Sequence, residues 1–377
     1  MMSNSKNSIR FIAIAAVIAI SLGIYTQQSQ QSEDKLPSLN KAVILPNSKA
    51  LNHIDFTDHN GAAFGIDRLK GYWNILFFGF TNCPDICPTT MRTLSQVKQT
   101  LEQENKWGNY RVIMVSVDPE RDTQERLKNY VPYFDEDFIG LRSDVETTTK
   151  FAKQLGILFV KQKSEDGFYQ VDHGASIVLV NPQGEMAGVI TAPHQQDLIS
   201  NDLALLADYF EDDHANKVAS SAAVNQSSNN ISTAENEHPP ETGSRSSTDN
   251  AQTIEGLVIS QAWIRPAPPN ANSMAGYFKL ENKTDTDISL VGAQSESFAM
   301  AMIHDTVIEN EIAKMQHLDK LVIPANSEIT LAPLGMHLML MRPHEPLDLG
   351  DSASVTLISE TGAELTQSIE VKQQDIQ

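Results

Sequence analysis

The chain has 377 residues, of which 41% are hydrophobic, so it can bury substantial cores and two domains are expected. Its 28 Lys and Arg residues stand against 48 Asp and Glu, and the resulting formal charge of -20 repels nucleic-acid phosphates and anionic lipid headgroups. The composition therefore excludes a fibre or a wholly disordered chain and argues against nucleic acid as a partner. The same charge attracts cations or a basic protein surface, or serves solubility alone.

Residues 1–34 contain an apolar run, 11–25, that follows Lys6 and Arg10. Such a run is typical of a signal peptide or a membrane anchor, and the absence of a small-x-small cleavage pattern after it favours an uncleaved anchor. Positive residues before the run keep that end in the cytoplasm. We therefore expect a single pass through the inner membrane, with the rest of the chain in the periplasm or another extracytoplasmic space.

Residues 45–210 alternate between strand and helix patterns. Strands are predicted at 74–80, 111–117 and 176–180, with a turn at 181–184, and helices at 89–104, 123–133, 147–155 and 195–209. Strands that alternate with helices of ten to fifteen residues indicate an α/β sheet. The order of these elements is compatible with a thioredoxin-like core.

Cys83 and Cys87 are the only cysteines in the chain, and they lie where the loop after the first strand enters the first helix. A spacing of four lets both sulfurs face one point, and a helix N-terminus favours the thiolate. A structural disulfide and a metal-binding or redox dithiol are both open interpretations. The second is favoured because so short a loop constrains little chain.

His173, just before the strand at 176–180, is the candidate third ligand of a soft metal. In a thioredoxin-like fold its loop approaches the dithiol. Two thiolates and an imidazole suit Cu(I) in a trigonal geometry and can also hold Cu(II).

Together, the segments 79–88, 116–123 and 172–173 resemble the Sco family of copper chaperones for cytochrome c oxidase assembly, over roughly residues 45–208. The resemblance implies that Cys83, Cys87 and His173 bind copper and that the two cysteines exchange disulfides with the copper A subunit of a terminal oxidase. A thioredoxin-like reductant is a further implied partner. The resemblance leaves the role of the loop that contains Asp118 open.

Residues 211–253 are rich in Ser, Asn, Ala, Glu and Thr and contain almost no large apolar side chains. Such a segment cannot bury enough surface to offset its ordering entropy, so a disordered linker is predicted. His214 and His238 lie in it and are interpreted as solvated polar residues. The linker separates the first domain from a second one at 254–375.

The second domain is predicted to be an all-β sandwich. Short β-prone runs at 257–263, 273–280, 288–293, 321–323, 328–331, 337–341 and 354–359 are separated by turn residues.

Methionine is unusually dense in the second domain, at positions 300, 302, 315, 336, 339 and 341. Methionine usually fills gaps in a core, but this does not account for His304 and His337 among them. His337 and Met339 are two residues apart on a predicted strand and point to the same face. Thioether with imidazole is a soft ligand set that favours Cu(I).

The spacing of His304, Met315, His337 and Met339 resembles the motif of the periplasmic PCuAC-type Cu(I) chaperones, as do segments 335–341 and 263–266, over roughly residues 254–372. The resemblance implies a cupredoxin-like sandwich in which these four residues hold Cu(I). Under it, Met302 and Met341 are alternate ligands or line an access path. His317 and His344 match no ligand position and are interpreted as surface residues.

Both resemblances together predict a copper metallochaperone that delivers Cu(I), with or without thiol-disulfide reduction, to the copper A centre of cytochrome c oxidase. The alternatives are a thiol-disulfide reductase with an accessory copper storage or sensing domain, and a copper-tolerance buffer. A flexible linker of about 43 residues spans roughly 35–40 Å, so we also expect copper to pass directly between the domains of one molecule.

Overall fold

The computed structural model describes residues 36–52, 54–163, 169–218, 253–269 and 271–374. The predicted N-terminal anchor and the linker from 219 to 252, which includes His238, lie outside the described residues. No helix within the described ranges is long and apolar enough to cross a membrane.

The first domain combines ten described strands with four helices. The strands are β1 (Ala42–Ala50), β2 (Asp55–Asp58), β3 (Ala63–Gly65), β4 (Trp73–Gly79), β5 (Tyr110–Ser116), β6 (Ile139–Arg142), β7 (Phe159–Lys163), β8 (Tyr169–Gly174), β9 (Ile177–Val180) and β10 (Glu185–Ile190). The helices are α1 (Ile86–Gln103), α2 (Gln124–Tyr130), α3 (Val145–Gln154) and α4 (Gln196–Val218), with a 3-10 turn at Ile66–Leu69.

A mixed sheet with the order β1-β10-β9-β4-β5-β6-β2-β3 organises this domain. β4, β5 and β6 run parallel at its centre, and every residue of β4 is buried. Parallel strands need cover on both faces, and apolar clusters lie on each side of the sheet. The predicted thioredoxin-like α/β core is thereby confirmed. Helix α4 continues to Val218, into the segment that was predicted as linker.

The second domain is all-β, as predicted. Its strands are β11 (Leu257–Ile264), β12 (Ser273–Asn282), β13 (Ile288–Ser295), β14 (Phe298–Glu309), β15 (Ile312–His317), β16 (Leu321–Ile323), β17 (Ser327–Leu331), β18 (Met336–Pro343), β19 (Ser352–Ser359) and β20 (Glu364–Glu370). The main path of its sheet is β11-β12-β18-β14-β13-β19-β20, and these neighbours pair antiparallel. The predicted strands are present, but β14, β15 and β20 were not predicted.

The two domains share a continuous run of backbone pairing. Hairpin β7–β8 belongs to the first domain, and β8 pairs antiparallel with β15 of the second through His173 opposite Ala313. The N–H of Ala175 also donates to the carbonyl of Glu311 at 2.7 Å. The strand that carries the predicted ligand His173 therefore lies directly against the second domain.

Candidate metal centres

The loop between β4 and α1 brings the dithiol close to His173 on strand β8. Both are buried free thiols, and Cys87 lies in the first turn of the helix. The Cys87 sulfur is 3.7 Å from Nε2 of His173, and the Cys87 N–H donates to the Cys83 sulfur at 3.5 Å. The structure thus brings together the three residues predicted as the first ligand set.

His173 presents a defined ring nitrogen to the dithiol. Its Nδ1 is 3.0 Å from the carbonyl of Gly174, which can only accept, so Nδ1 carries the proton and donates. Nε2, the atom that faces Cys87, then holds the lone pair. Burial lowers the pKa of His173 from its ordinary value, which keeps the ring neutral at pH 7. A neutral imidazole fixed by an outer hydrogen bond is the usual form of a histidine ligand.

The two thiols differ in acidity. Burial acts to raise the pKa of Cys83, but hydrogen bonds from the Cys87 side chain and backbone outweigh it, so the pKa lies below its ordinary value. Burial, together with the neighbouring Cys83 sulfur, holds the pKa of Cys87 well above its usual range. Cys83 is therefore the first of the pair to become a thiolate, which is the form that binds metal or attacks a disulfide.

The first ligand set is close together, although its three side chains do not form one complete metal-binding group. No group of three or more His, Cys, Asp or Glu side chains within the described ranges is arranged to hold a metal ion. The 3.7 Å between the Cys87 sulfur and His173 Nε2 fits a shared ion, because two ligands about 2.0–2.3 Å from one ion in trigonal geometry are roughly 3.5–4.0 Å apart.

The loop that contains Asp118 connects both ligand-bearing segments. The buried Asp118 carboxylate accepts from the Tyr169 hydroxyl on β8 at 2.6 Å and pairs with Arg121. Asp122 accepts from the Thr81 hydroxyl and the Ser116 hydroxyl, each at 2.6 Å. Burial, with Asp118 nearby, raises the pKa of Asp122 to about 6. The loop thus holds the start of β8 and the dithiol loop in fixed relation.

Gly79, at the end of β4, has no side chain and so leaves room for the Cys87 sulfur. A Cβ at this position would lie 2.8 Å from the Phe77 ring and 3.0 Å from the Cys87 sulfur. We expect Gly79→Ala to destabilise the fold by about 1–3 kcal/mol through overpacking and to weaken Cu(I) binding by the dithiol. Denaturant unfolding and chelator competition would measure the two effects. Gly65→Ala is the matched control, since its Cβ would meet nothing closer than 3.9 Å. Unchanged Cu(I) affinity in Gly79→Ala would contradict this account.

The second ligand set lies on one face of β14 and β18. His304 is directly opposite His337, and Met302 is directly opposite Met339. The residues between them, Ile303 and Leu338, point to the other face and pack in the sandwich core. Met300 opposite Met341 adds a third soft pair to the same row. Met302 and Met341, predicted as alternates, thus share the face of the predicted ligands.

The two histidines each keep a nitrogen available. Nδ1 of His337 donates to the carbonyl of Gly335 at 2.9 Å, and its Nε2 is buried with no hydrogen-bond partner among the described residues. Nδ1 of His304 is also buried without one. Burial, with the neighbouring His337 and His317 rings, lowers the pKa of His304 to about 3, so this imidazole is neutral at pH 7. Buried nitrogens without a proton or a partner are suited to hold a metal.

Strand β15 adds Met315 and His317 to the same neighbourhood. Met315 is opposite Thr306, two positions further along β14 than His304, so the four predicted ligands lie within neighbouring positions of three strands. His317, predicted as a surface residue, is 46% exposed, yet it is opposite His304 with the ring centroids 5.2 Å apart. His317 lies two residues after Met315 on β15, so both point to the same face; the spacing is visible in the sequence, but the strand was not predicted. His344 is exposed and bonds to the carbonyl of Glu296.

The two ligand sets face each other across the domain boundary. Met315 packs into the apolar cluster of the first domain that contains Cys83 and Cys87. A cavity of about 10 Å³ is lined by both sets, including Cys83, His173 and Met315. Gln170 of β8 also donates from its side-chain amide to the Met339 sulfur at 3.5 Å. A small ion at one set would therefore lie close to ligands of the other.

Comparison with known proteins assigns the two halves to different groups. The SCO1/SenC family model matches residues 46–208, and the model described as putative lipoprotein LpqE-like matches residues 257–371. A protein of Stutzerimonas stutzeri, named putative copper-binding protein, is 37% identical over 166 residues, which are 44% of this chain and 81% of that protein.

Solved structures similar to each half were also found. Copper-bound ScoI from Bradyrhizobium japonicum is 33% identical and matches 40% of this chain and 96% of its own, with a TM-score of 0.37. The copper-bound PCuAC domain from PmoF2 is 22% identical and matches 33% of this chain and all of its own, with a TM-score of 0.28. From the extent and identity of the match to the Stutzerimonas protein and the family model over residues 46–208, the chain belongs to the SCO1/SenC family.

Proposed function

We propose that this protein is a copper metallochaperone that carries Cu(I) in two ligand sets and supplies it to the copper A centre of cytochrome c oxidase. The observation that carries the proposal is the buried pairing of His304 with His337 beside the methionine row, in which each ring has a nitrogen without a hydrogen-bond partner among the described residues. Soft thioether and imidazole donors without carboxylates favour Cu(I) over harder cations. The name of the Stutzerimonas relative supports copper as the cargo.

The proposed ligands of the first set are Cys83, Cys87 and His173, and those of the second are His304, Met315, His337 and Met339. The first set supplies anionic sulfur, so it can hold Cu(II) as well as Cu(I). The second contains no cysteine, so it keeps its ligands in an oxidising compartment. The proposal includes a cupredoxin-like fold for the second domain, an N-terminal anchor in the inner membrane and a periplasmic position for both domains.

A thiol-disulfide reductase is the second candidate function, and the unequal acidity of the two cysteines favours it. In such a reaction the Cys83 thiolate attacks a disulfide of the oxidase subunit and forms a mixed disulfide. The Cys87 thiolate then attacks the Cys83 sulfur and releases the subunit sulfur. Two electrons pass to the substrate, which leaves as a dithiol, while Cys83 and Cys87 become a disulfide. A thioredoxin-like reductant would restore them. Both functions use the same two sulfurs, so they must be separated by experiment.

We expect the reduced, copper-loaded chain to lose Cu(I) to an apo copper A subunit while its own thiols stay reduced. The measurement follows copper by elemental analysis of the separated proteins and thiols by mass-resolved alkylation after denaturation. The control is an apo subunit whose copper-ligating cysteines are replaced. Formation of a Cys83–Cys87 disulfide without copper movement would instead establish the reductase function. Movement of neither copper nor electrons would contradict both and favour a copper-tolerance buffer.

A further inference from the structure

The carboxylate of Asp85, between the two cysteines, is buried among four donors of the second domain and one of its own helix, the Thr89 hydroxyl, at 3.4 Å from Oδ1. Oδ1 accepts from the Tyr277 hydroxyl at 2.8 Å and from Arg265 at 3.3 Å. Oδ2 accepts from the Leu334 N–H at 2.9 Å and from the Thr306 hydroxyl at 3.2 Å. Arg265 also donates to the Asp85 carbonyl at 3.0 Å. We refer to Arg265, Tyr277, Thr306 and the N–H of Leu334 as the Asp85 pocket.

Asp85 does not use its carboxylate in the way its place in the chain suggests. It occupies the N-cap position of α1, where an aspartate ordinarily accepts from the N–H of the second or third helical residue. Within the described structure this carboxylate accepts no such capping bond. By contrast, Asp144 at the N-cap of α3 does accept from the Thr147 N–H, at 2.8 Å. The oxygens of Asp85 are therefore directed mainly to the other domain, and their own helix offers them only the Thr89 hydroxyl, at 3.4 Å.

The Asp85 pocket is organised within the second domain itself. The Tyr277 ring packs against Trp263 with centroids 4.6 Å apart, and the Arg265 guanidinium lies 4.9 Å from the centroid of the same ring. The Arg265 backbone N–H donates to the Ala275 carbonyl at 2.9 Å. A buried guanidinium, hydroxyls and an N–H that converge on one point form a site for a carboxylate. A surface with no acidic group at that point would leave Arg265 buried and unpaired, which is costly.

Contacts on both sides of Asp85 fix the orientation of the domains. The Ser273 hydroxyl donates to the Asn82 carbonyl at 2.8 Å on one side of the dithiol loop. On the other side, β8 pairs with β15, and the Ser176 hydroxyl donates to the Glu311 carboxylate at 2.8 Å. The dithiol loop is thus held between two further sets of polar contacts, so the domains meet in one register.

We infer that the Asp85 pocket is a docking site for the dithiol loop of the same chain, and that docking holds the two ligand sets together for direct transfer of Cu(I). Asp85 is two residues from each cysteine, and the pocket residue Thr306 is two residues from His304 on β14. Engagement of one carboxylate therefore aligns both sets at once. The purpose of docking, which is transfer, rests on the proposed function, but the docking contact itself does not.

Hydrogen exchange on the full chain, reduced and metal-free, tests the docking. The reporters are the Ala175 amide, which donates across the boundary, and the amides of β15. We expect Asp85→Asn to raise exchange at these reporters roughly tenfold or more, while β4 and β19 keep their rates. Asp144→Asn is the matched control, because it removes a capping carboxylate that bonds to Thr147 of its own helix, and exchange at the reporters should be unchanged. Protection should also be the same over a roughly hundredfold dilution, because the partner is in the same chain.

Unchanged exchange at the reporters in both Asp85→Asn and Tyr277→Phe would overturn the inference. If β4 also exchanges faster in Asp85→Asn, the first domain itself is destabilised. The test of docking then rests on the Tyr277→Phe variant. That change leaves the first domain intact, so faster exchange at Ala175 supports docking and unchanged exchange refutes it. Protection that falls on dilution would show docking between copies and overturn the same-chain assignment.

Cu(I) stoichiometry measured separately on the same variants distinguishes this inference from the proposed function. The Asp85→Asn chain should bind as much Cu(I) as the unaltered chain but transfer it between the two ligand sets more slowly. This result would support the purpose assigned to docking. Transfer at an unchanged rate with lost protection would overturn that purpose. A chain that keeps its reporter protection but binds no Cu(I) would refute the copper function and leave the docking contact standing.

Discussion

Replacement of Cys83 by serine is expected to reduce the Cu(I) bound by the reduced chain from two ions to one. Cys83 has the lower thiol pKa of the pair and so supplies the first anionic sulfur, whereas a serine hydroxyl stays protonated and is a poor ligand for a soft ion. The second set should be unaffected, because it draws on His304 and its methionine neighbours. Cu(I) titration against a chromogenic chelator, with copper counted after gel filtration, measures the stoichiometry.

Two further variants make this stoichiometry specific. The double change His304→Ala with Met339→Ala should remove the other ion and leave the dithiol set loaded. His344→Ala is the control, since this exposed histidine lies outside both sets and should leave both ions bound. If the double variant still binds two Cu(I), the assignment of the second set is incorrect.

Oxidation of Cys83 and Cys87 to a disulfide is expected to release Cu(I) from the first set while the second set keeps its ion. Both thiolates are consumed in the disulfide, so the affinity of the first set should fall by more than the roughly 10- to 100-fold that loss of an outer hydrogen bond causes. The second set contains no thiol and should not respond. Chelator competition on the oxidised and reduced chains gives both affinities.

A chain in which both cysteines are serines is the control for this redox dependence. It should retain one Cu(I) whether or not oxidant is added, because only the second set remains. Equal retention of two Cu(I) by the oxidised and the reduced unaltered chain would show that the dithiol is not a ligand. Together with the Cys83→Ser titration, this result would separate metal binding by sulfur from a purely redox role.

The central elements of the first domain could be predicted from the sequence because their patterns are strong. The run at 74–80 is apolar throughout, and β4, at Trp73–Gly79, is buried at every residue. Helix α1 begins at Ile86, before its predicted start, because Cys87 lies in its first turn, whereas Cys83 stays in the preceding loop. The placement of His173 near the dithiol was predicted from fold resemblance, and the distance to Cys87 agrees with it.

Strands β14 and β15 were not predicted, although they carry His304 and Met315. Residues 298–304 are mostly apolar without a clean alternation, because methionines occupy the outward positions that are usually polar. The turn between the strands, Asn310–Glu311, has φ values of 50° and 61°. Hairpin turns with two positive φ values usually contain a glycine, which makes them recognisable in a sequence, and this turn has none. The ligand spacing was visible in the sequence, but the hairpin that arranges it was not.

The contact between the two domains could not be predicted from local sequence patterns. The residues that flank Asp85 in the sequence are typical of an ordinary helix N-cap. Arg265 belongs to an early segment of a separate domain. Their contact joins residues 180 positions apart, and nothing in either segment specifies the other. The predicted passage of copper between the domains was argued from linker length alone. The face that each domain would present could be found only from the structure.

The burial of the Cys83 sulfur also affects how the protein withstands peroxide. Second-domain side chains, including Arg265, Ser273 and Met315, line the small spaces on either side of this sulfur. Peroxide converts an accessible thiolate to a sulfenic acid and then, irreversibly, to a sulfinic acid. Because these second-domain side chains cover the sulfur, we expect Cys83 of the docked chain to react with peroxide more slowly than an exposed thiolate would.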